Sequence, residues 1–168
     1  MGWRAVGALP ERQKFMVILI PHTSSMDFLL AVWMFLLFRV DMRYMIKAEV
    51  FKFGFGRILR WTGAIPIARK KSHGHVDAAI EAFRAAGDRV ILGIAPEGTR
   101  SPTPKLKKGF YHIAKGADVP ILLVTMHYDK KLVQFGPSIR SDRPWEEIEA
   151  DLEIFAGNVA GRERGYLD

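Results

Sequence analysis

Lys14-Phe15-Met16-Val17-Ile18-Leu19-Ile20-Pro21-His22-Thr23-Ser24-Ser25-Met26-Asp27 carries the strongest structural signal in the chain. Six apolar residues run unbroken from Phe15 to Ile20 and stop at a proline, the pattern of a strand buried on both faces. Thr23, Ser24 and Ser25 then offer a helix N-cap, and Met26–Arg39 reads as a hydrophobic helix. A buried strand that turns straight into a helix is one unit of an α/β sandwich.

Outward from that unit the alternation continues. Arg43–Ala48, Ala64–Ala68, Arg89–Ala95, Val119–Thr125 and Leu132–Phe135 read as strands. Phe51–Trp61 reads as a short aromatic helix weakened by Gly54 and Gly56, and Val76–Ala86 as an amphipathic helix closed by Gly87. Gly109–Lys115 reads as a helix closed by Gly116, and Pro144 suits the first position of a helix over Trp145–Ala156. The expectation is an α/β fold with a mostly parallel central sheet flanked by helices. With no internal repeat and no linker-like stretch, residues 1–168 are expected to form a single domain.

Composition narrows the function. Apolar residues make up 49% and charged residues 26% of the 168, enough for a core and unlike a disordered chain. The absence of cysteine excludes disulfides, a thiol nucleophile and Cys-based metal sites, and suits a reducing, cytoplasmic setting. The net charge of +7 is unevenly spread: residues 37–115 hold sixteen basic and six acidic side chains, whereas 116–168 hold six and ten. The basic middle of the chain suits an anionic partner such as a phosphorylated ligand or a lipid surface. Nucleic acid fits poorly, because no element interleaves basic and aromatic residues for recognition. The run 15–20 is too short for a signal peptide. The greasiest stretch, 28–38, falls well short of the roughly 20 residues of a membrane-spanning helix.

Two motifs stand immediately after expected strands, where α/β folds gather their functional groups. In His22-Thr23-Ser24-Ser25-Met26-Asp27, a histidine on the loop and an aspartate in the first helical turn can meet. The carboxylate then fixes one ring nitrogen and raises the basicity of the other, the arrangement that activates a hydroxyl for acyl transfer. The same residues also spell a capping box, Ser24-x-x-Asp27, which alone accounts for the aspartate. In Pro96-Glu97-Gly98-Thr99-Arg100-Ser101, turn residues present backbone amides, and Arg100 brings a planar fork suited to phosphate. Glu97 there could bind an acceptor hydroxyl or hold Arg100. Between them, Gly63-Ala64-Ile65-Pro66-Ile67-Ala68-Arg69 ends a strand in arginine. His73-Gly74-His75 lacks a third ligand for a metal and reads as a helix-entry loop. His112 and His127 read as packed or partly exposed. Trp33, Phe35, Trp61 and Phe110 read as core or as the lining for an apolar chain.

In combination, His22-x4-Asp27, Gly63-x-Ile-x-Ile-x-Arg69, the block at 96–101 and Val119-Pro120-Ile121 resemble the four ordered blocks of the glycerolipid acyltransferases. This is the family of the 1-acylglycerol-3-phosphate (lysophosphatidate) acyltransferases. The resemblance spans roughly residues 15–125 and takes in the Lys107-Lys108-Gly109 step. It departs from the family at Ala95, where an aromatic residue is common, and at Leu123, where a second proline is. It implies a PlsC-like fold, with acyl-CoA or acyl-carrier protein as co-substrate, a lysophospholipid acceptor and no cofactor or metal. By the same resemblance His22 is the base and Asp27 its orienter, and Arg69, Glu97, Gly98, Thr99 and Arg100 surround the acceptor head group. A phosphate-free acceptor such as a lyso-ornithine lipid, or a basic protein that binds lipid or nucleic acid without catalysis, are the rival expectations. The enzyme is expected to sit peripherally on the inner, anionic face of the membrane.

Overall fold

Every residue from Phe15 to Ile20 is buried, and the side chains alternate between two cores. Phe15, Val17 and Leu19 point to one side of the sheet, and Met16, Ile18 and Ile20 to the other. This strand, β2 (Lys14–Leu19), is therefore central, as its unbroken apolar run requires. The computed structural model describes residues 2–10, 14–20, 26–27, 30–31, 33, 42–47, 51, 54, 56–67, 72–85, 90–97 and 106–157.

The other strands are β1 (Arg4–Val6), β3 (Met42–Lys47), β4 (Ala64–Ile67), β5 (Val90–Ile94), β6 (Ile121–His127) and β7 (Leu132–Ile139). Among the described residues they form one seven-stranded sheet in the order β1-β7-β6-β2-β5-β3-β4. The five strands from β6 to β4 are mutually parallel, β7 runs antiparallel to β6, and β1 runs parallel to β7. The expected α/β class with a mostly parallel sheet is the observed one.

Among the described residues the helices with defined bounds are α1 (Gly56–Trp61), α2 (Ser72–Ala85), α3 (Gly109–Ala117) and α4 (Trp145–Ala156). On one face Ala79 and Phe83 of α2, Phe110 and Ile113 of α3, and Trp145, Ile148 and Leu152 of α4 pack on Met16, Ile18 and Leu92. On the other face lie Leu30 and Ala31, which belong to the helical residues following β2, and Leu59 of α1. Each fully buried aliphatic side chain contributes about 1.5–3 kcal/mol.

Several expectations need correction. Gly116 does not close α3; it lies inside the helix, where a Cβ would come within 2.4 Å of Ile80 Cδ1 on α2. It is a glycine because two helices cross there. Asp118 makes the C-cap instead, in the left-handed conformation (φ 51°, ψ 51°), and the Val119 amide closes back on the Ala114 carbonyl at 3.0 Å. Helix α2 starts at Ser72, not Val76, so His73 and His75 lie in its first turn rather than in a loop. Gly74 is tolerable there because first-turn amides have no partner inside a helix. Strand β7 extends past Phe135 to Ile139 despite Pro137. The proline falls at a register shift in the β6–β7 ladder, beyond the last residue that pairs with β1. Strand β1, three exposed residues, carries no periodicity by which to find it.

One feature of the topology positions the site. The chain leaves β2 across the face that holds Leu30 and steps past β5 to reach β3. It leaves β5 across the opposite face, through α3, and steps past β2 to reach β6. Adjacent strands whose connections diverge in this way leave a crevice at their carboxyl ends.

Candidate active site

Strands β2 and β5 pair in register, Ile18 opposite Ile94, so both sequence motifs leave the sheet at the same edge. Of the residues expected at the site, the structure places Asp27 and Glu97. His22, Arg69, Gly98, Thr99 and Arg100 lie outside the described residues.

Asp27 is helical and only 1% exposed. A carboxylate withdrawn from water to that degree costs several kcal/mol unless it is hydrogen-bonded. Tyr128 supplies such a bond, its phenol O–H donating to Asp27 Oδ1. The tyrosine is the first residue past β6, which lies beside β2 on the side away from β5. Three strand ends thus converge, and a group on the third holds a group from the first. A capping role on the helix surface does not account for a side chain this deeply buried.

Glu97 is 2% exposed, and Pro96 before it is buried as well. The Lys107 amide donates to the Pro96 carbonyl at 2.9 Å, so the segment that leaves the sheet at Pro96 is tied back to its own base. Glu97 is therefore fixed at the root of its loop. Of the basic residues that follow, Lys108 places its ammonium 4.9 Å from the centre of the Trp145 ring, a cation–π contact against α4.

The block that leads to Arg69 begins where the backbone demands glycine. Gly63 has φ +94°, a left-handed conformation that a side chain would strain, and it turns the chain from α1 into β4. Thr62 donates to the Leu59 carbonyl at 2.9 Å and accepts from the Tyr44 hydroxyl at 2.6 Å, which pins this turn to β3. Pro66 is compatible with a strand because β4 is the edge of the sheet.

Sequence reasoning missed Tyr128. A signal was present: it directly follows a strand, as both motifs do, and an aromatic residue with a polar tip has both packing and hydrogen-bonding uses at such a place. Of the two roles expected for the aromatic residues, core or lining for an apolar chain, the structure decides the first. Trp61 is 80% exposed and Trp33 is exposed as well, so neither belongs to the core, whereas Phe110 does. On α1 the inward positions are Gly56 and Leu59, and Trp61 falls off that stripe. His127 is buried and holds Gln134 Oε1 through Nε2 at 3.0 Å, while His112 is exposed.

A buried carboxylate after one strand and a second after its neighbour, at the crevice of a parallel sheet, define a site for polar chemistry. The acyltransferase family model matches residues 8–127, and the chain belongs to that family. It is an acyltransferase. Its fold is similar to the crystal structure of PlsC, the 1-acyl-sn-glycerophosphate (LPA) acyltransferase from Thermotoga maritima. The TM-score is 0.65 at 21% identity, over 90% of this chain and 68% of that one. No curated protein sequence matches the chain.

Proposed function

We propose that this acyltransferase moves a fatty acyl group from acyl-CoA or acyl-carrier protein to the free hydroxyl of a lysophospholipid, first among them 1-acylglycerol-3-phosphate. His22 takes the hydroxyl proton as that oxygen bonds to the thioester carbonyl carbon. The tetrahedral intermediate then expels the thiol, which leaves with the proton from the imidazolium. Asp27 orients the imidazole and balances the positive charge it gains. Arg69 and Arg100 hold the acceptor phosphate, while Glu97, Gly98 and Thr99 line the head-group site. The observation that carries this reading is the burial of Asp27 in a hydrogen-bonded position on the helical residues that follow β2, where an orienter can sit and a mere cap need not. The 1-acyl-sn-glycerophosphate for which the Thermotoga maritima enzyme is named favours the phosphate lipid.

The enzyme meets its lipid as a peripheral protein on the anionic inner face of the membrane. Supporting this, α1 exposes Ile58 (59%) and Trp61 (80%) beside the exposed Arg57 and Arg60, the mixture that settles at a headgroup interface. Among the described residues no helix is long and apolar enough to cross a membrane. Incubation with labelled acyl-CoA, acyl-carrier protein and a panel of lysolipids, with products identified by mass, tests the assignment. Diacylglycerol phosphate formed from 1-acylglycerol-3-phosphate is the expected result. Acylation of phosphate-free acceptors alone overturns the phosphate site, and no acylated lipid from any pair overturns the reading.

A further inference from the structure

We propose that Tyr128 is a positioning residue for the reaction: its phenol fixes the carboxylate plane of Asp27 and so the direction in which that aspartate holds the base. The proposal rests on the reading of His22 and Asp27 as base and orienter.

The torsion that turns a carboxylate about its own axis is soft and nearly two-fold. An aspartate can therefore serve as a directional support only when something fixes that rotation. Tyr128 does so by donating to Oδ1, which sets where Oδ2 points. The donor is itself braced. Trp3 meets the Tyr128 ring edge-on, with centroids 5.2 Å apart and planes at 88°. Trp3 is held in turn because the next residue, Arg4, opens β1 and donates its amide to the Lys131 carbonyl at 2.9 Å. Tyr128 and Lys131 are the two ends of the β6–β7 turn, closed by the Lys131 amide on the Tyr128 carbonyl at 3.4 Å. The phenol thus stands on a packed ring and a hydrogen-bonded turn.

The chemistry of the donor matters. A lysine or arginine in this place would satisfy the buried carboxylate equally well, but its positive charge would offset the field that Asp27 exerts on an imidazolium. A neutral phenol satisfies one oxygen and leaves the negative charge in force. Phenylalanine would pack on Trp3 as well as tyrosine does, so the ring alone does not account for the hydroxyl.

Tyr128→Phe is compared with wild type, Asp27→Asn and the double variant, reading kcat, KM for donor and acceptor, and thermal midpoint. The expected result for Tyr128→Phe is a kcat lowered roughly 10- to 100-fold, the range typical when a group that orients a reacting one is removed. KM should hold within about twofold. The double variant should be no slower than Asp27→Asn alone, because both changes act through one carboxylate. A wild-type kcat, a loss confined to KM, or additive losses in the double variant would overturn the proposal. If Asp27→Asn itself turns over normally, the base-and-orienter reading fails first, and that outcome is separate. Should Tyr128→Phe melt far below wild type, Trp3→Leu takes its place, since it keeps the hydroxyl and removes the brace. A kcat down about threefold at unchanged KM is then expected, and an unchanged kcat is the overturning result.

Discussion

The two layers that cover the sheet differ in what they show to solvent. On one side α2, α3 and α4 turn out Asp77, Glu81, Arg84, Lys115, Glu146 and Glu147. Ion pairs cross this side, Arg84 with Glu81 at 3.0 Å and Arg143 with Glu147 at 3.0 Å and with Asp151 at 2.6 Å. Ile154 is the large apolar exception there. On the other side the helical residues after β2 and α1 turn out Met26, Trp33, Ile58 and Trp61, with Arg57 and Arg60 among them. That layer also holds Asp27. One layer is a closed, ion-paired wall. The other carries Asp27, the proposed orienter, in the same layer as a surface that is basic and aromatic, as the proposed contact with lipid requires. The lesson is that the polarity of a helix layer follows what it faces, because both layers bury apolar side chains against the same sheet.

If the division holds, substitutions in the site layer change turnover and those in the wall change stability. His22→Ala should lower turnover at least about 10²-fold with the fold intact, and Asp27→Asn should be similarly severe. Steady-state rates together with circular dichroism check this, and a folded, active His22→Ala would break the comparison at its centre. Leu152→Ala, in the wall, should cost about 2–5 kcal/mol of stability and leave the rate per folded molecule unchanged. Urea melts and active-site titration separate the two. Arg100→Lys keeps the charge and loses the fork, so use of a phosphate acceptor should fall about tenfold, the scale of one strong hydrogen bond. Equal losses on a phosphate-free analogue would give Arg100 a structural role instead.

Smaller effects sharpen the boundary. Ile58→Ser with Trp61→Ser should reduce flotation with anionic vesicles several-fold, from the loss of about 1.5–3 kcal/mol per inserted apolar side chain. Rates on monomeric, water-dispersed acceptor should not move. Binding that survives the change would place the membrane contact elsewhere. Arg143→Ala, on the wall, should shift the thermal midpoint by about 2 °C or less and leave turnover alone, since exposed ion pairs count for little. Asp151 first and Glu147 second hold that guanidinium above its ordinary pKa, so Arg143 stays charged throughout the working range.

Much of the fold was legible because its central strands write their burial into the chain. Phe15–Ile20 and Val119–Thr125 can only be strands covered on both sides, and the glycines and prolines between them mark the turns. What was not legible depended on a partner far along the sequence. Gly116 looks like a stop signal until Ile80 is placed against it. Pro137 looks like a strand end until the bulge beside Val124 is seen. Trp61 looks like core by residue type, yet Leu59 and Gly56 occupy the inward side of α1. In the site, strand-end position pointed to Asp27 and Glu97, but no local pattern could say that a tyrosine 101 residues further on would reach the aspartate.

The pairing of β1 with β7 sets an order of assembly. Arg4 cannot join the sheet until Leu132 has been made, because β7 is the strand it adds to. At about 5–20 residues per second, a ribosome takes on the order of 6–25 s to cover that interval. Throughout it the first strand has no partner and Trp3 has nothing to lean on. β1 is short and all its residues are exposed, which makes it a poor template for stray pairing during the wait. The Trp3–Tyr128 contact therefore waits for β7, and a nascent chain holds β2, β3, β4 and β5 well before its aspartate is braced.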